Sequence, residues 1–376
     1  MSDFRKNVFV SVVSDLVTDQ RVHRSSLTLS RKGLKVTLVG RKLHSSLPIE
    51  KREYEVKRFK LWAEKGPLFY AFYNCRLFFF LLFRKVDVLL ANDLDTLPAN
   101  FIISRIKGIP LYYDSHEYFT GVPELEQRSF VRSVWKWLER KMLPHIKHVY
   151  TVNDSIANLY KQEYKIDPVV IRNLPMRESV SYEEKSKEEL GFPPYKKILL
   201  FQGAGINMHR GAEEMVLAMK KLDDFILVFI GSGDVIDFLK SQVSELGLNE
   251  RVIFFPKMPL DKLRQFTRKA DLGLSLDKDT NINYRFSLPN KLFDYIQAGV
   301  PVLASDLPEV RKVVDQYQIG KILVSLDPEQ IAKAINDVFN NERQFAVWKE
   351  NLKFAAEELC WEKEEIRFLE IFKEIL

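Results

Sequence analysis

The chain has 376 residues, of which 46% are hydrophobic and 29% are charged, and its formal net charge is +6. This size and composition indicate about two domains with sizeable cores and exclude a disordered chain. The only cysteines are Cys75 and Cys360, which excludes a disulfide scaffold and a cysteine-rich zinc module. The sequence contains no apolar run of transmembrane length and no secretory signal pattern, so we expect a cytoplasmic protein.

Strand and helix patterns alternate along the first part of the chain. The predicted order is strand 7–13, helix 20–32, strand 35–40, then strands 86–93, 109–117 and 148–154. In open parallel sheets, ligands bind beyond the carboxyl ends of the strands. The polar residues at these ends are therefore site candidates, namely Asp93, Asp95, Asp114, His116 and Glu117.

An aromatic segment, residues 67–85, lies between the second and third predicted strands. Two interpretations stay open for it. The segment is either a buried helix of the first domain or a helix that lies on a membrane surface, with Arg76, Arg84 and Lys85 near lipid phosphates. The dispersed basic residues and the lack of a known motif make nucleic acid the weaker candidate for an anionic partner.

A charged, proline-containing stretch at 173–197 indicates a connection between domains, with at most a short helix. Strand and helix patterns then start again. The predicted strands are 198–203, 224–233, 251–255, 271–276, 299–306 and 320–324. The tail from 342 to 376 is predicted to be helical, with an apolar stripe formed by Ile366, Leu369, Phe372 and Leu376.

The loop after the first strand is not a dinucleotide site. It contains no glycine, so its backbone cannot close around a pyrophosphate, which argues against a dehydrogenase. The loop instead offers Asp19 and Arg21 as polar contacts for a substrate. The alternative is that Asp19 caps the following helix and the arginines of the loop are solvated.

The second half carries a better candidate for phosphate binding. A loop after strand 198–203 turns through Gly203 and Gly205 and places Arg210 before a helix, where its guanidinium can bind a diphosphate. Gly231 forms a second glycine turn between a strand and a helix. Such turns also occur merely to allow close packing.

Residues 281–310 are the most informative segment. We expect Ser287 to cap a helix whose first turn contains Leu288 and Pro289 and whose N-terminus is an anion site. Asn290 and Lys291 add side-chain donors at the same end. Asp294 lies one turn further on the same face, where a carboxylate can accept hydrogen bonds from ribose hydroxyls. The alternative is a capped core helix with an exposed Asp294.

These motifs resemble those of the retaining glycosyltransferases of family 4, over nearly the whole chain. The segment 287–301 resembles the donor-site helix of that family, and the loop with Arg210 resembles its phosphate-binding loop. Asp294 matches the second acidic residue of the family's donor motif, which usually holds ribose. Phe286 stands where the first acidic residue belongs. His116 resembles a histidine that lies near the reacting sugar.

The resemblance implies a GT-B fold, with two Rossmann-like β/α/β domains facing a central cleft. The expected domains are 1–175 for the acceptor, 176–355 for the nucleotide sugar, and a helix at 356–376 that packs back on the first domain. The implied catalytic residues are His116, Arg210 and Lys291. The implied donor-binding residues are Gly203, Gly205, Gly231, Ser287, Leu288, Pro289, Asn290 and Asp294. The acceptor-binding candidates are Asp19, Arg21 and Glu117.

The implied donor is a UDP or GDP sugar, with no cofactor and no metal, and the implied acceptor is a glycan or a lipid-linked sugar. We expect no nucleic-acid partner and contact with the inner face of an anionic membrane. Two alternatives stay open. One is a catalytically weak protein that binds nucleotide sugars or glycans, and the other is an epimerase of the same fold.

Overall fold

The computed structural model describes residues 5–17, 19–126, 128–177 and 185–376. The chain divides into two compact units, the first with residues 1–173 and 364–376, the second with residues 174–363. Part of the predicted connection, residues 178–184, lies outside the described residues. Its described remainder includes a short 3-10 turn, Glu188–Leu190.

The first unit contains a parallel sheet of seven strands in the order β3-β2-β1-β4-β5-β6-β7. Its elements are β1 Asn7–Asp15, α1 Gln20–Arg31, β2 Lys35–Lys42, β3 Glu55–Lys60, α2 Gly66–Leu82, β4 Val88–Asn92, α3 Leu97–Lys107, β5 Leu111–Ser115, α4 Pro123–Glu126, α5 Ser129–Met142, β6 His148–Thr151, α6 Asp154–Tyr164 and β7 Val169–Val170.

The second unit contains a parallel sheet of six strands in the order β10-β9-β8-β11-β12-β13. Its elements are β8 Lys197–Gly203, α7 Ala212–Ala218, β9 Phe225–Gly231, α8 Ile236–Glu245, β10 Val252–Phe255, α9 Leu260–Arg268, β11 Leu272–Ser275, α10 Ile282–Arg285, α11 Asn290–Gln297, β12 Val302–Ser305, α12 Pro308–Tyr317, β13 Gly320–Leu323, α13 Pro328–Asn340 and α14 Glu342–Glu358. The last helix, α15 Trp361–Ile371, begins in this unit and ends in the first.

Both faces of the second sheet are covered by hydrophobic cores. Leu199 and Phe201 of β8 belong to one core, whereas Ile198 and Leu200 belong to the other, because successive side chains of a strand point to opposite faces. This double burial explains the continuous apolar runs in the sequence. The predicted architecture of two Rossmann-like α/β units is confirmed.

The predicted apolar stripe of the tail was wrong in part. Ile366 and Leu376 are more than half exposed, whereas Phe368 and Phe372 are buried. The Phe372 ring stacks on Tyr112 of β5 at 4.4 Å, within the first unit. The tail forms two helices, α14 and α15. The buried face of α15 carries Trp361, Glu364 and Phe368, so the predicted stripe lies to one side of that face.

Candidate active site

The centre of the candidate site is a buried carboxylate that holds two cations. Asp277 follows β11 and is 1% exposed. Its Oδ1 lies 2.9 Å from Nη1 of Arg210, and its Oδ2 lies 3.4 Å from Nζ of Lys291. Arg210 precedes α7 and Lys291 lies in the first turn of α11, so two distant parts of the sequence meet here. The three charges sum to +1, which leaves the cluster positive.

Backbone contacts fix this arrangement. The Ser305 hydroxyl on β12 donates to the Asp277 carbonyl at 2.6 Å, and the Lys278 amide donates to the His209 carbonyl at 2.9 Å. Gly211 has a φ of +77°, and a Cβ there would lie 2.3 Å from the Leu276 carbonyl oxygen. Only glycine therefore allows the loop to pass so close to the end of β11, and this approach brings Arg210 to Asp277.

Each of the two cations also lies over an aromatic ring. The Arg210 guanidinium lies 4.3 Å from the centre of the Tyr284 ring, and Nζ of Lys291 lies 4.8 Å from that of Phe201. Burial lowers the pKa of Lys291, Asp277 opposes this decrease, and Arg210 adds to it. A diphosphate would supply the second negative charge that the pair of cations lacks.

The start of α11 differs from the prediction. The N-cap is Pro289, and among the described residues no side chain caps the first turn. The Ser287 hydroxyl donates instead to the Tyr284 carbonyl at 2.8 Å, so the expected Ser287 cap was wrong. The reason is that the short helix α10 precedes Ser287, and the carbonyl of Tyr284 in this helix accepts the hydrogen bond from the hydroxyl. Leu288 packs against the core, and Asn290 is exposed.

Asp294 lies one turn further along α11 and is half-buried. Its Oδ2 accepts a hydrogen bond from Nε2 of Gln202 at 3.2 Å, and Oε1 of Gln202 accepts one from the Thr267 hydroxyl at 2.7 Å. These three side chains line a small pocket with residues of α9, mainly Leu260, Leu263 and Arg264. The chain of hydrogen bonds holds the carboxylate in one orientation, so it presents a fixed acceptor to the pocket.

The three predicted glycines have different roles in the packing. Gly203 and Gly231 are partners at the ends of β8 and β9. A Cβ at Gly231 would lie 1.8 Å from the Gly203 carbonyl oxygen, so sheet packing alone requires glycine there. A Cβ at Gly203 or Gly205 would meet its nearest atoms at 3.9 and 3.4 Å. Packing therefore does not demand glycine at these two positions.

A second polar cluster lies in the first unit, at the carboxyl ends of β4 and β5. The His116 imidazole bridges two carboxylates, with Nδ1 3.0 Å from Asp93 and Nε2 3.1 Å from Asp114. Arg21 binds both oxygens of Asp114, at 3.0 and 2.6 Å. Burial would lower the pKa of His116, but the two carboxylates outweigh it and raise this pKa well above its ordinary value. The imidazole is therefore held in its charged form.

The acceptor-binding candidates are also placed in this unit. Oδ1 of Asp19 accepts from the Val22 amide at 3.1 Å and caps α1, as the alternative interpretation of the sequence held. Arg21 is buried rather than solvated. Glu117 follows His116 and is half-buried. Across the described parts of the chain, no group of three or more acidic, histidine or cysteine side chains is placed to hold a metal ion.

Sequence reasoning missed the part played by Asp277, Gln202, Tyr284 and Gly211. One signal was present for Asp277. It is a polar residue directly after a buried strand, the same pattern that selected Asp93 and Asp114 in the first half. The contact of Tyr284 with Arg210 had no such signal, because it depends on the short helix α10, which was not predicted.

Several solved structures share this fold. The sucrose-phosphate synthase of Thermosynechococcus elongatus superposes with a TM-score of 0.82 at 16% identity, over 99% of both chains. HepE of Anabaena, solved with UDP and glucose, superposes with a TM-score of 0.77 at 15% identity, over 98% of this chain and all of that one. These likenesses define the protein as one of GT-B fold.

Two family profiles match the sequence, "Glycosyl transferases group 1" over residues 183–354 and "Glycosyltransferase Family 4" over residues 20–174. The two profiles together cover most of the chain, which therefore belongs to the group 1 (family 4) glycosyltransferases. The phosphatidyl-myo-inositol mannosyltransferase of Mycobacterium leprae is 26% identical over 219 residues, 57% of this chain and 56% of that protein. The chain spans about half the length of the curated relatives it matches, 41% and 56%.

Replacing Asp277 with Asn should destabilise the ligand-free protein by roughly 2 kcal/mol, because two half-buried cations lose their countercharge. A bound diphosphate can replace that charge. We therefore expect UDP or GDP, whichever binds, to raise the melting temperature more in Asp277→Asn than in the wild type. Thermal unfolding with and without nucleotide measures this. Asp279→Asn, at an exposed acid nearby, is the control. Equal increases of the melting temperature on adding nucleotide in all three proteins would contradict diphosphate binding by Arg210 and Lys291.

The raised pKa of His116 predicts a pH-dependent stability. Above about pH 6.5 the unfolded chain releases this proton while the folded protein keeps it, so folding takes up a proton. The free energy of unfolding should therefore fall as the pH rises from about 6.5 towards the folded pKa, by at most about 1.4 kcal/mol per pH unit. Urea unfolding of the wild type and of His116→Gln compares the slopes. A variant with the same slope as the wild type would exclude His116 as the cause.

Proposed function

We propose that the protein transfers a glycosyl group from a nucleoside diphosphate sugar to a glycan or lipid-linked acceptor, with retention of configuration. The proposal rests on one observation above all. Arg210 comes from the loop before α7 and Lys291 from the first turn of α11, and the two meet on Asp277 at the carboxyl end of the second sheet. Two cations and a helix N-terminus at one strand end are suited to a diphosphate.

The chemical need behind this arrangement is charge on the leaving group. When the bond to the sugar breaks, negative charge builds on the β-phosphate. Arg210, Lys291 and the dipole of α11 oppose that charge from fixed positions, which lowers the barrier without reorganisation. The same cations take the part that a metal ion plays in other transferases, so we propose a metal-independent reaction without a cofactor.

The donor site continues along α11. We propose that Asp294, oriented by Gln202, accepts hydrogen bonds from ribose hydroxyls. Gly203 and Gly205 lie where a bulkier side chain would narrow the approach of the diphosphate to the backbone. The nucleotide is UDP or GDP in this proposal. The solved complex of HepE with UDP and glucose supports a donor of this class.

The first unit is proposed to bind the acceptor. We propose that His116 lies near the reacting sugar. Both of its ring N–H groups bind the carboxylates of Asp93 and Asp114, so its part is to hold Asp93 in place, and an Asp93 oxygen can accept a hydrogen bond from a sugar hydroxyl. Glu117 is the proposed acceptor contact beside His116. Asp19 caps α1 and Arg21 holds Asp114, so we propose that these two shape the acceptor site through the side chains they fix.

A non-catalytic protein that binds nucleotide sugars is the second candidate. Phe286 stands where the family carries the first acid of its donor motif, and its ring meets the Arg285 guanidinium at 6.0 Å. An apolar ring there cannot accept hydrogen bonds from the transferred sugar.

A screen of UDP and GDP sugars separates the candidates. Stabilisation by one nucleotide sugar in thermal unfolding identifies the donor, because a ligand of the folded state raises its stability by mass action. Release of the nucleotide that depends on an added glycan acceptor shows transfer. Tight binding without release or hydrolysis identifies the second candidate. Epimerised sugar without an acceptor identifies an epimerase. No binding by any nucleotide sugar would contradict all three.

Replacing Arg210 with Ala should lower turnover about a hundredfold, corresponding to about 3 kcal/mol of lost stabilisation of the leaving diphosphate. Binding of the free nucleoside, which carries no phosphate, should change little. Steady-state kinetics and calorimetry measure the two effects. Arg285→Ala is the matched control, since this arginine is 57% exposed and pairs with Asp279. Equal losses of turnover and nucleoside binding would contradict the phosphate role.

Asp294→Asn should weaken donor binding through the ribose. A nucleoside diphosphate and its 2′-deoxy and 3′-deoxy forms test this in a thermodynamic cycle. If Asp294 accepts from a ribose hydroxyl, the variant and the corresponding deoxy ligand each lose affinity, and combining them costs little more. Fully additive losses for both deoxy forms would show that the carboxylate does not contact the ribose.

A further inference from the structure

The helix α2, which forms most of the aromatic segment, has one buried side and one exposed side. One side is core, where Phe69, Tyr73, Leu77 and Leu81 recur at every fourth residue and are buried. The Tyr73 hydroxyl donates to the Val12 carbonyl of β1 at 2.7 Å, which fixes this side against the sheet.

The other side of α2 leaves large apolar side chains in solvent. Leu68, Phe72, Phe79 and Phe83 are exposed by 64%, 44%, 53% and 79%. Adjacent Phe80 is different, because its ring packs edge-on against Phe9 and Phe59.

The neighbouring helices extend this surface. α2 packs beside α3, and α3 beside α5, in one layer of the first unit. On α3 Ile102 and Ile106 are about half exposed, and on α5 Phe130 and Trp137 are 80% and 58% exposed. We call the exposed apolar residues of these three helices the apolar face, which consists of Leu68, Phe72, Phe79, Phe83, Ile102, Ile106, Phe130, Val134 and Trp137.

Within these three helices the exposed charges are all positive, and the acids Glu64 and Glu126 lie beside them. Neither α2 nor α3 contains an Asp or Glu, and the single acid of α5, Glu139, is buried. Exposed basic residues stand on or beside the three helices, namely Lys65, Arg76, Arg84, Lys85, Arg105, Arg128, Arg140 and Lys141. Apolar side chains among cations match a surface with negative headgroups above a hydrocarbon layer.

We propose that the apolar face and its basic residues dock the protein on an anionic lipid bilayer. The layer lies on the membrane and does not cross it. Of the helices in the described residues, none is long and apolar enough to span a bilayer. A second copy of the chain is a poorer occupant, because a symmetric pair would bring two basic surfaces together. The proposal does not rest on the transfer reaction.

Vesicle sedimentation of the full chain tests the proposal without donor or acceptor. One set of vesicles contains phosphatidylcholine alone, and the other also contains phosphatidylglycerol. We expect the wild type to bind the anionic vesicles. The triple variant Phe72→Gln, Phe79→Gln, Phe83→Gln should weaken this binding by roughly tenfold or more, because each exposed phenylalanine contributes by burial in the interface.

A matched triple variant, Tyr195→Gln, Phe238→Gln, Val324→Gln, removes exposed apolar side chains of the second unit instead. It should bind vesicles like the wild type. Reversing charge by Lys65→Glu, Lys85→Glu, Lys141→Glu should abolish the preference for anionic vesicles, since each basic residue near the surface contributes about fivefold. Circular dichroism and thermal unfolding check that each variant is folded.

Four results would overturn the proposal. The wild type fails to bind anionic vesicles, the control triple loses as much binding as the apolar-face triple, or the charge reversal leaves the lipid preference intact. In the fourth, the apolar-face triple keeps vesicle binding but loses self-association in sedimentation, which would assign the face to a second copy.

Discussion

One buried carboxylate organises the candidate site of the second unit. Asp277 would be costly to bury alone, and Arg210 and Lys291 would repel each other without it. Together they form a compact cluster with one positive charge in excess. The cluster therefore persists in the ligand-free protein while still favouring an anion. This balance suits the pair of cations to the diphosphate that we propose as their ligand.

Sheet topology brings the three charges together. Asp277 follows β11, and the loop with Arg210 follows β8, which lies beside β11 in the sheet. Parallel strands end at one edge, so loops far apart in sequence become neighbours there. Gly211 then removes the one steric obstacle, because a side chain at this position would strike the Leu276 carbonyl. In the first sheet, Asp93, Asp114 and His116 come together in the same way, at the carboxyl ends of β4 and β5.

Much of the fold was predictable, because parallel strands that are buried on both faces leave a clear pattern in the sequence. Continuous apolar runs located the buried strands, and strand-end positions selected His116 and Asp114. Two local predictions were wrong, the helix cap at Ser287 and the apolar stripe of the tail. Ser287 matches a helix cap in sequence, yet α10 captures its hydroxyl. The predicted stripe of the tail includes the exposed Ile366 and misses the buried Phe368. The pairing of Arg210 with Asp277 rests on tertiary contact, which no local pattern encodes.

The helix α2 is another case in which the sequence alone did not show which residues are buried. Composition offered a buried helix or a helix on a membrane surface as alternatives, and the structure shows that one side of α2 is buried and the other is exposed. Phe80 faces the sheet while Phe79 and Phe83 face solvent, and only the structure tells these phenylalanines apart.

A crystal structure with the nucleoside diphosphate that stabilises the protein most tests the central claim directly. We expect the β-phosphate within hydrogen-bonding distance of both Arg210 and Lys291, with Asp277 still paired to them and the ribose beside Asp294. A nucleotide bound elsewhere, with the two cations contacting only Asp277, would contradict the account.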